Sequence, residues 1–175
     1  MALRSPQPHE ILLPVKTGFI AMTLAVALFA NLLPWSGVLL WLKPDFLAVT
    51  LLYWCIRQPH KLGFAPAWLL GLAMDVGDAS LFGQHALAYT LLTYAGITLH
   101  RRVLMFSVTH QVLHVIPLLL VTQLAMLVVR MTAGADFPGL LYFAASFTAA
   151  ALWPLLVIVL ELPQRTRFDP EHPAI

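Results

Sequence analysis

Residues 103–129 read VLMFSVTHQVLHVIPLLLVTQLAMLVV, without a single Lys, Arg, Asp or Glu. A helix rises about 1.5 Å per residue, so as one helix this run is ~40 Å long, while ~20 apolar residues suffice to cross a ~30 Å hydrocarbon core. The stretch therefore reads as a membrane span that tilts or extends past the core. Pro117 is expected to kink its middle. The run far exceeds the ~10-residue alternating segments of a membrane barrel, which makes the fold class all-α.

The rest of the chain follows the same pattern. Beyond the run lies a sixth apolar segment, Phe137–Leu160, with Pro154 late in it. Before it lie two short ones, Leu62–Val76 and Gly83–Leu99, and a longer one, Val38–Ile56, interrupted by Lys43-Pro44-Asp45. The first is Leu13–Leu33, where Pro14 fits an opening turn that has no use for its missing amide. Its apolar part, Thr17–Leu33, exceeds a ~7–15-residue signal-peptide core, and no small-residue cleavage site follows; it reads as a retained span. The expectation is a single polytopic membrane domain over residues 1–175, with spans at about 13–33, 38–56, 62–76, 83–99, 103–129 and 137–160. No internal repeat, low-complexity segment or interdomain linker interrupts it.

Composition agrees. Of 175 residues, 60% are hydrophobic and 10% charged, against ~45–50% and ~25% in soluble domains. Eighteen charged side chains, 10 basic and 8 acidic, cannot cover a soluble surface of this size. Soluble enzymes, nucleic-acid binders and disordered proteins are thereby excluded. A net charge of +2 adds no sign of a nucleic-acid partner. Cys55, the one cysteine, has no partner for an internal disulfide and reads as a small apolar filler.

The placement of the basic residues sets an expected orientation. With six spans starting inside, Arg4, Lys16, Arg57, Lys61, Arg101, Arg102, Arg165 and Arg167 are cytoplasmic, eight of the ten. The positive-inside rule then favours both termini in the cytoplasm. A re-entrant pair in place of the third and fourth spans leaves both ends inside as well.

Ionisable groups within spans are costly and mark candidate sites. The topology gathers Lys43, Asp45, Asp75, Asp78 and His85 toward the outer face. They read either as a polar pocket or partner-docking site, or as ion pairs and helix caps, since Asp near a helix start satisfies free amides and Lys snorkels. Asp75 with His85 has the composition of an acid/base pair, but two residues make no catalytic constellation. No G-x-S-x-G, H-E-x-x-H or phosphate loop occurs, so no enzymatic activity and no cofactor are expected. His110 and His114 have the four-residue spacing of metal ligands but lack a third ligand; contacts with Gln111 or Gln123 are expected instead. His100-Arg101-Arg102 reads as an anchor at the membrane surface. Ala21 with Ala25, Ala144 with Thr148 and Ala145 with Ala149 suggest close helix packing. Trp35, Trp41 and Trp54 suggest a partial interfacial belt.

One stretch is more specific. Gly71-Leu72-Ala73-Met74-Asp75-Val76, then Leu81-Phe82-Gly83-Gln84-His85-Ala86-Leu87-Ala88-Tyr89, resembles the central motif of the rod shape-determining protein MreD family, G-L-x-x-D-V followed by L-x-G-x-H-A-L-x-Y. Lys43-Pro44-Asp45-Phe46 with Tyr53-Trp54 resembles that family's basic-Pro-Asp second span. One departure is the turn Gly77-Asp78-Ala79-Ser80, where the family commonly has glycine just before the second half; a slightly different turn is expected.

The resemblance implies a bacterial inner-membrane protein with six helices, similar to the substrate-binding subunits of energy-coupling-factor transporters. It implies a non-enzymatic part in the elongation machinery of the lateral wall. The implied partners are MreC, the glycosyltransferase RodA, a class B penicillin-binding transpeptidase and, on the cytoplasmic side, MreB. The candidate partner-binding cluster is Lys43, Pro44, Asp45, Gly71, Asp75, Gly83 and His85. The alternative is a small-molecule-binding subunit resembling those vitamin transporters.

Overall fold

Prolines, glycines and charged residues divide the apolar sequence into helices. The computed structural model describes residues 15–37 and 42–164. Its helices are α1 (Thr17–Leu32), α2 (Phe46–Arg57), α3 (Phe64–Gly77), α4 (Gln84–Leu104) and α5 (Val108–Thr132). A 3₁₀ turn at Leu140–Phe143 leads into α6 (Ala144–Ala151) and α7 (Trp153–Glu161), closed by a second 3₁₀ turn at Leu162–Gln164. No strand occurs among the described residues. Val108–Thr132 and the continuous run Leu140–Gln164 are each long and apolar enough to cross a membrane, and α1, α2 and α3 are shorter apolar helices. Over the described residues the protein is helical, and its apolar helices are consistent with a membrane protein. Arg4, Pro14, Trp41, Arg165, Arg167 and the start of the expected second span lie outside the described residues.

α2 is the centre of the bundle. Its sequence FLAVTLLYWCIR is apolar on every side, and a helix with no polar face belongs in the interior. Every residue from Leu47 to Ile56 is buried. At ~18 Å the helix is shorter than the hydrocarbon core, and its neighbours shield it. α1, α4, α6 and α7 pack around it, and α3 and α5 pack on α4. α1 turns Ile20, Leu24, Ala27 and Asn31 inward and leaves Met22, Val26 and Phe29 exposed. A broad exposed apolar surface is rare on soluble monomers, and here it suits lipid.

Polar side chains tie the helices where backbone groups cannot. Trp54 Nε1 donates to Thr23 Oγ1 at 2.9 Å and Trp153 Nε1 to Gln111 Oε1 at 3.0 Å. Gln123 Nε2 donates to Tyr142 O at 2.6 Å. At one end of the bundle Arg57 pairs with Glu161 and Lys61 donates to Val15 O.

Several expectations are corrected. Residues 103–129 are not one helix: α4 continues to Leu104, and α5 begins at Val108 after a turn. Arg101 and Arg102 occupy the last turn of α4, where cations suit the partial negative charge of a helix end, so the helix outlasts its apolar sequence. The described part of the second span is the helix from Phe46, with Pro44 and Asp45 at its entry; residues 38–41, before the break at Lys43-Pro44-Asp45, lie outside the described residues. Trp54 is buried in the core and belongs to no interfacial belt, its indole being held by Thr23. Ala21 and Ala25 are exposed, since α1 packs through its other face. His110 Nδ1 contacts Ser107 at 2.7 Å and His114 stacks on Phe106; Gln111 and Gln123 are engaged elsewhere.

Candidate functional site

At the end of the bundle opposite Arg57 and Glu161, two loops and two helix starts converge on Asp45 and Asp75. Asp45 immediately precedes α2, and its carboxylate accepts from Ala48 N at 2.9 Å, an N-cap. Its Oδ1 also accepts from Asn31 Nδ2 at 2.7 Å, and Tyr89 OH donates to Oδ2 at 2.9 Å. Asn31 in turn accepts from Phe46 N at 2.8 Å and through its carbonyl from Lys43 Nζ. Lys43 thus reaches Asp45 only by way of Asn31.

Asp75 is 1% exposed and holds the α3–α4 turn together. Its Oδ2 accepts from Gly83 N at 2.8 Å. Its Oδ1 accepts from His85 N at 2.8 Å, from Ser80 Oγ at 3.1 Å and from His85 Nδ1 at 2.8 Å. α4 begins after Gly83, which has no side chain to cap with, so the carboxylate one helix back caps it instead. Gly83 itself sits at φ +95°, a conformation that favours glycine. Gly71 allows the same meeting from the other side: a Cβ there would lie 2.3 Å from Ala86 Cα.

Ser80, His85 and Asp75 do not form a nucleophile relay. A triad needs serine and carboxylate on opposite ring nitrogens. Here Ser80 Oγ, 3.3 Å away, and Asp75 face the same Nδ1. Nδ1–H donates to the carboxylate, so the ring cannot draw a proton from Ser80 through that atom. The His85 ring meets Tyr89 edge-on at 5.7 Å between centroids, which links the two carboxylates through aromatic contact.

The cluster opens to a cleft of about 170 Å³ lined by Asn31, Lys43, Asp45, Asp78, His85 and Arg130 among others. A wider hollow of about 440 Å³ shares Asp78, Gln84 and Arg130 with it. Deeper, beside Asp45, Gln123 and Ser146, lies a pocket of about 40 Å³, large enough for a water or two. The lining carries both signs of charge, which suits a peptide or zwitterionic group. Among the described residues no group of three or more His, Cys, Asp or Glu could hold a metal ion.

The structure brings together Lys43, Asp45, Asp75 and His85, with Pro44 beside them and Gly71 and Gly83 shaping the backbone that holds them. Sequence reading missed Asn31 and Tyr89, the two side chains that join the network. Asn31 carried a signal, being an amide in an otherwise apolar helix; Tyr89 closed the recognised motif but was given no role.

The departing turn has a measurable consequence. Ala79 sits at φ +48°, where a Cβ crowds the following carbonyl at a cost of about 1 kcal/mol. Ala79→Gly is expected to stabilise the protein by at most ~0.5 kcal/mol, the rest of the relief being lost to the freer unfolded chain. Thermal unfolding in detergent measures it, and a lowered midpoint contradicts it.

Fold and site together define a helical membrane protein with a buried carboxylate network at one end of its bundle. The family described as rod shape-determining protein MreD matches residues 15–162. The chain belongs to the MreD family, a shape-determining, membrane-associated component. A relative, the rod shape-determining protein MreD of Haemophilus influenzae, is 26% identical over 140 residues, covering 80% of this chain and 86% of the relative. No solved structure matches.

Proposed function

We propose that the protein is a non-enzymatic component of the bacterial elongation complex. In this reading it crosses the inner membrane six times with both termini cytoplasmic. It binds MreC and helps position RodA and a class B penicillin-binding transpeptidase, with MreB on the cytoplasmic side. The observation that carries the reading is the coincidence of motif and cavity. His85, which matches the family motif and is held by Asp75 of the same motif, lines one open polar cleft with Lys43 and Asp45. Six helices with short connections offer partners mainly lateral surfaces, and this cleft is where polar groups are accessible.

Lys16, Arg57, Lys61, Arg101 and Arg102 fall at the bundle end away from the cleft, which supports the orientation. Clean depletion is expected to round a rod-shaped cell; unchanged rods would falsify the reading. His85→Ala and Lys43→Ala are expected to lower recovery of MreC by about tenfold, the loss of one useful interface side chain, while insertion stays normal. Unchanged MreC recovery in both variants removes the cleft as the docking site.

The mixed-charge cleft also supports a second reading, a small-molecule-binding subunit resembling the vitamin transporters. Mass spectrometry after gentle purification separates the two: an enclosed small molecule favours the second, co-purified MreC the first.

A further inference from the structure

We propose that the seam between α4 and α5 binds an anionic phospholipid. A groove of about 260 Å³ runs along it, walled by Leu99 and Val103 from α4 and by Leu113, Pro117 and Val121 from α5. The four-residue spacing keeps each set on one helix face. Leu113 to Val121 spans ~12 Å along the axis, room for a good part of an acyl chain. Arg102 and His114 stand in the same groove, toward the α4–α5 turn. Arg101 adjoins Arg102, and both are exposed.

Three features select an anion at that mouth. No Asp or Glu occurs in sequence between Asp78 and Asp136. Neither arginine forms an ion pair among the described residues. His114 is held in place, its ring stacked on Phe106 at 4.5 Å and its Nδ1 donating to His110 O at 3.4 Å, which leaves Nε2 for a ligand. A basic mouth that continues into an apolar groove has the shape of a phosphate headgroup with its chain attached. Basic pockets between membrane helices commonly take such headgroups. A free phosphate satisfies only the mouth, and an apolar helix only the groove.

The test is native mass spectrometry of the purified full-length protein, titrated separately with phosphatidylglycerol, phosphatidylcholine and inorganic phosphate. One phosphatidylglycerol is expected to be retained at about tenfold lower concentration than phosphatidylcholine, with no retention of phosphate alone. The double variant Arg101→Gln/Arg102→Gln is expected to lose that preference. Val121→Trp, which fills the groove and keeps both arginines, is expected to lose phosphatidylglycerol retention. Equal retention of the two lipids, binding of phosphate alone, or an unchanged preference in either variant overturns the proposal.

Discussion

Gly71→Ala is expected to destabilise the protein by about 3 kcal/mol or more, although helix propensity alone predicts the opposite sign. A glycine inside a helix costs roughly 0.5–1 kcal/mol relative to alanine, so the isolated α3 gains from the change. In the bundle the new Cβ meets Ala86 Cα at 2.3 Å and Ala86 N at 2.5 Å. Both are backbone atoms of α4, so no rotamer change relieves the clash and the helices must separate. Overpacking of ordinary cores costs about 1–3 kcal/mol, and a rigid backbone partner places this case at the upper end. Separation also moves Asp75 away from the amides of Gly83 and His85, which adds to the loss. Gly18→Ala is the control, because nothing lies within 4 Å of its added Cβ; no loss is expected there. Thermal unfolding of both variants in the same detergent decides the matter. An unchanged midpoint for Gly71→Ala would mean that α3 and α4 are not in backbone contact.

Asp75→Ala is expected to cost about 3 kcal/mol. Removing the carboxylate strands the half-buried amide of Gly83, the buried amide of His85 and the His85 ring donor together. Loss of a helix cap alone costs about 0.5–2 kcal/mol, and each unsatisfied buried donor adds about 1–3 kcal/mol before relaxation. Asp75→Asn is expected to fall between wild type and alanine. One amide oxygen can replace Oδ1, but the new NH₂ then faces Gly83 N, donor against donor. His85→Ala removes the ring's bond to Asp75 and its contacts with Ser80 and Tyr89 but leaves both backbone caps, so its cost is expected at about 1–2 kcal/mol. The two variants therefore separate fold from docking. If Asp75→Ala melts like wild type, the carboxylate is not the cap that its geometry indicates. If His85→Ala is folded yet recovers less MreC, the ring acts at the cleft and not through stability.

Much of the fold was legible because the bilayer imposes simple rules on sequence. A helix end needs a donor or acceptor from somewhere, and helix capping was one of the two readings open to the charged cluster: Asp45 does cap α2. The existence of the first, third, fourth and sixth helices followed from hydropathy, with ends shifted by a few residues. The division at Met105–Ser107 was not legible, since hydropathy averages over a turn made of apolar residues. The role of Trp54 was also hidden. An indole serves equally at an interface or in a core, and only the position of Thr23 on a neighbouring helix selects the core.

The candidate site divides in the same way. Charges in apolar segments drew attention to Lys43, Asp45, Asp75 and His85, because unpaired charge in hydrocarbon is too costly to keep without purpose. What each of them does depends on atoms far away in sequence. Asp75 reads equally as acid, ligand or cap until Gly83 N and His85 N are seen 2.8 Å from its oxygens. Asn31 and Tyr89 join Asp45 only because α1 and α4 flank α2.

By itself the sequence determined the solvent, the helical class and which residues would be expensive to bury. Those are properties of composition and of local runs, and they hold whatever the helices pack against. Tertiary structure alone decided that α2 is central, that α3 and α4 touch backbone to backbone at Gly71, and that the carboxylates are satisfied by neighbouring helices. Those depend on distances between segments, which hydropathy along one chain does not encode.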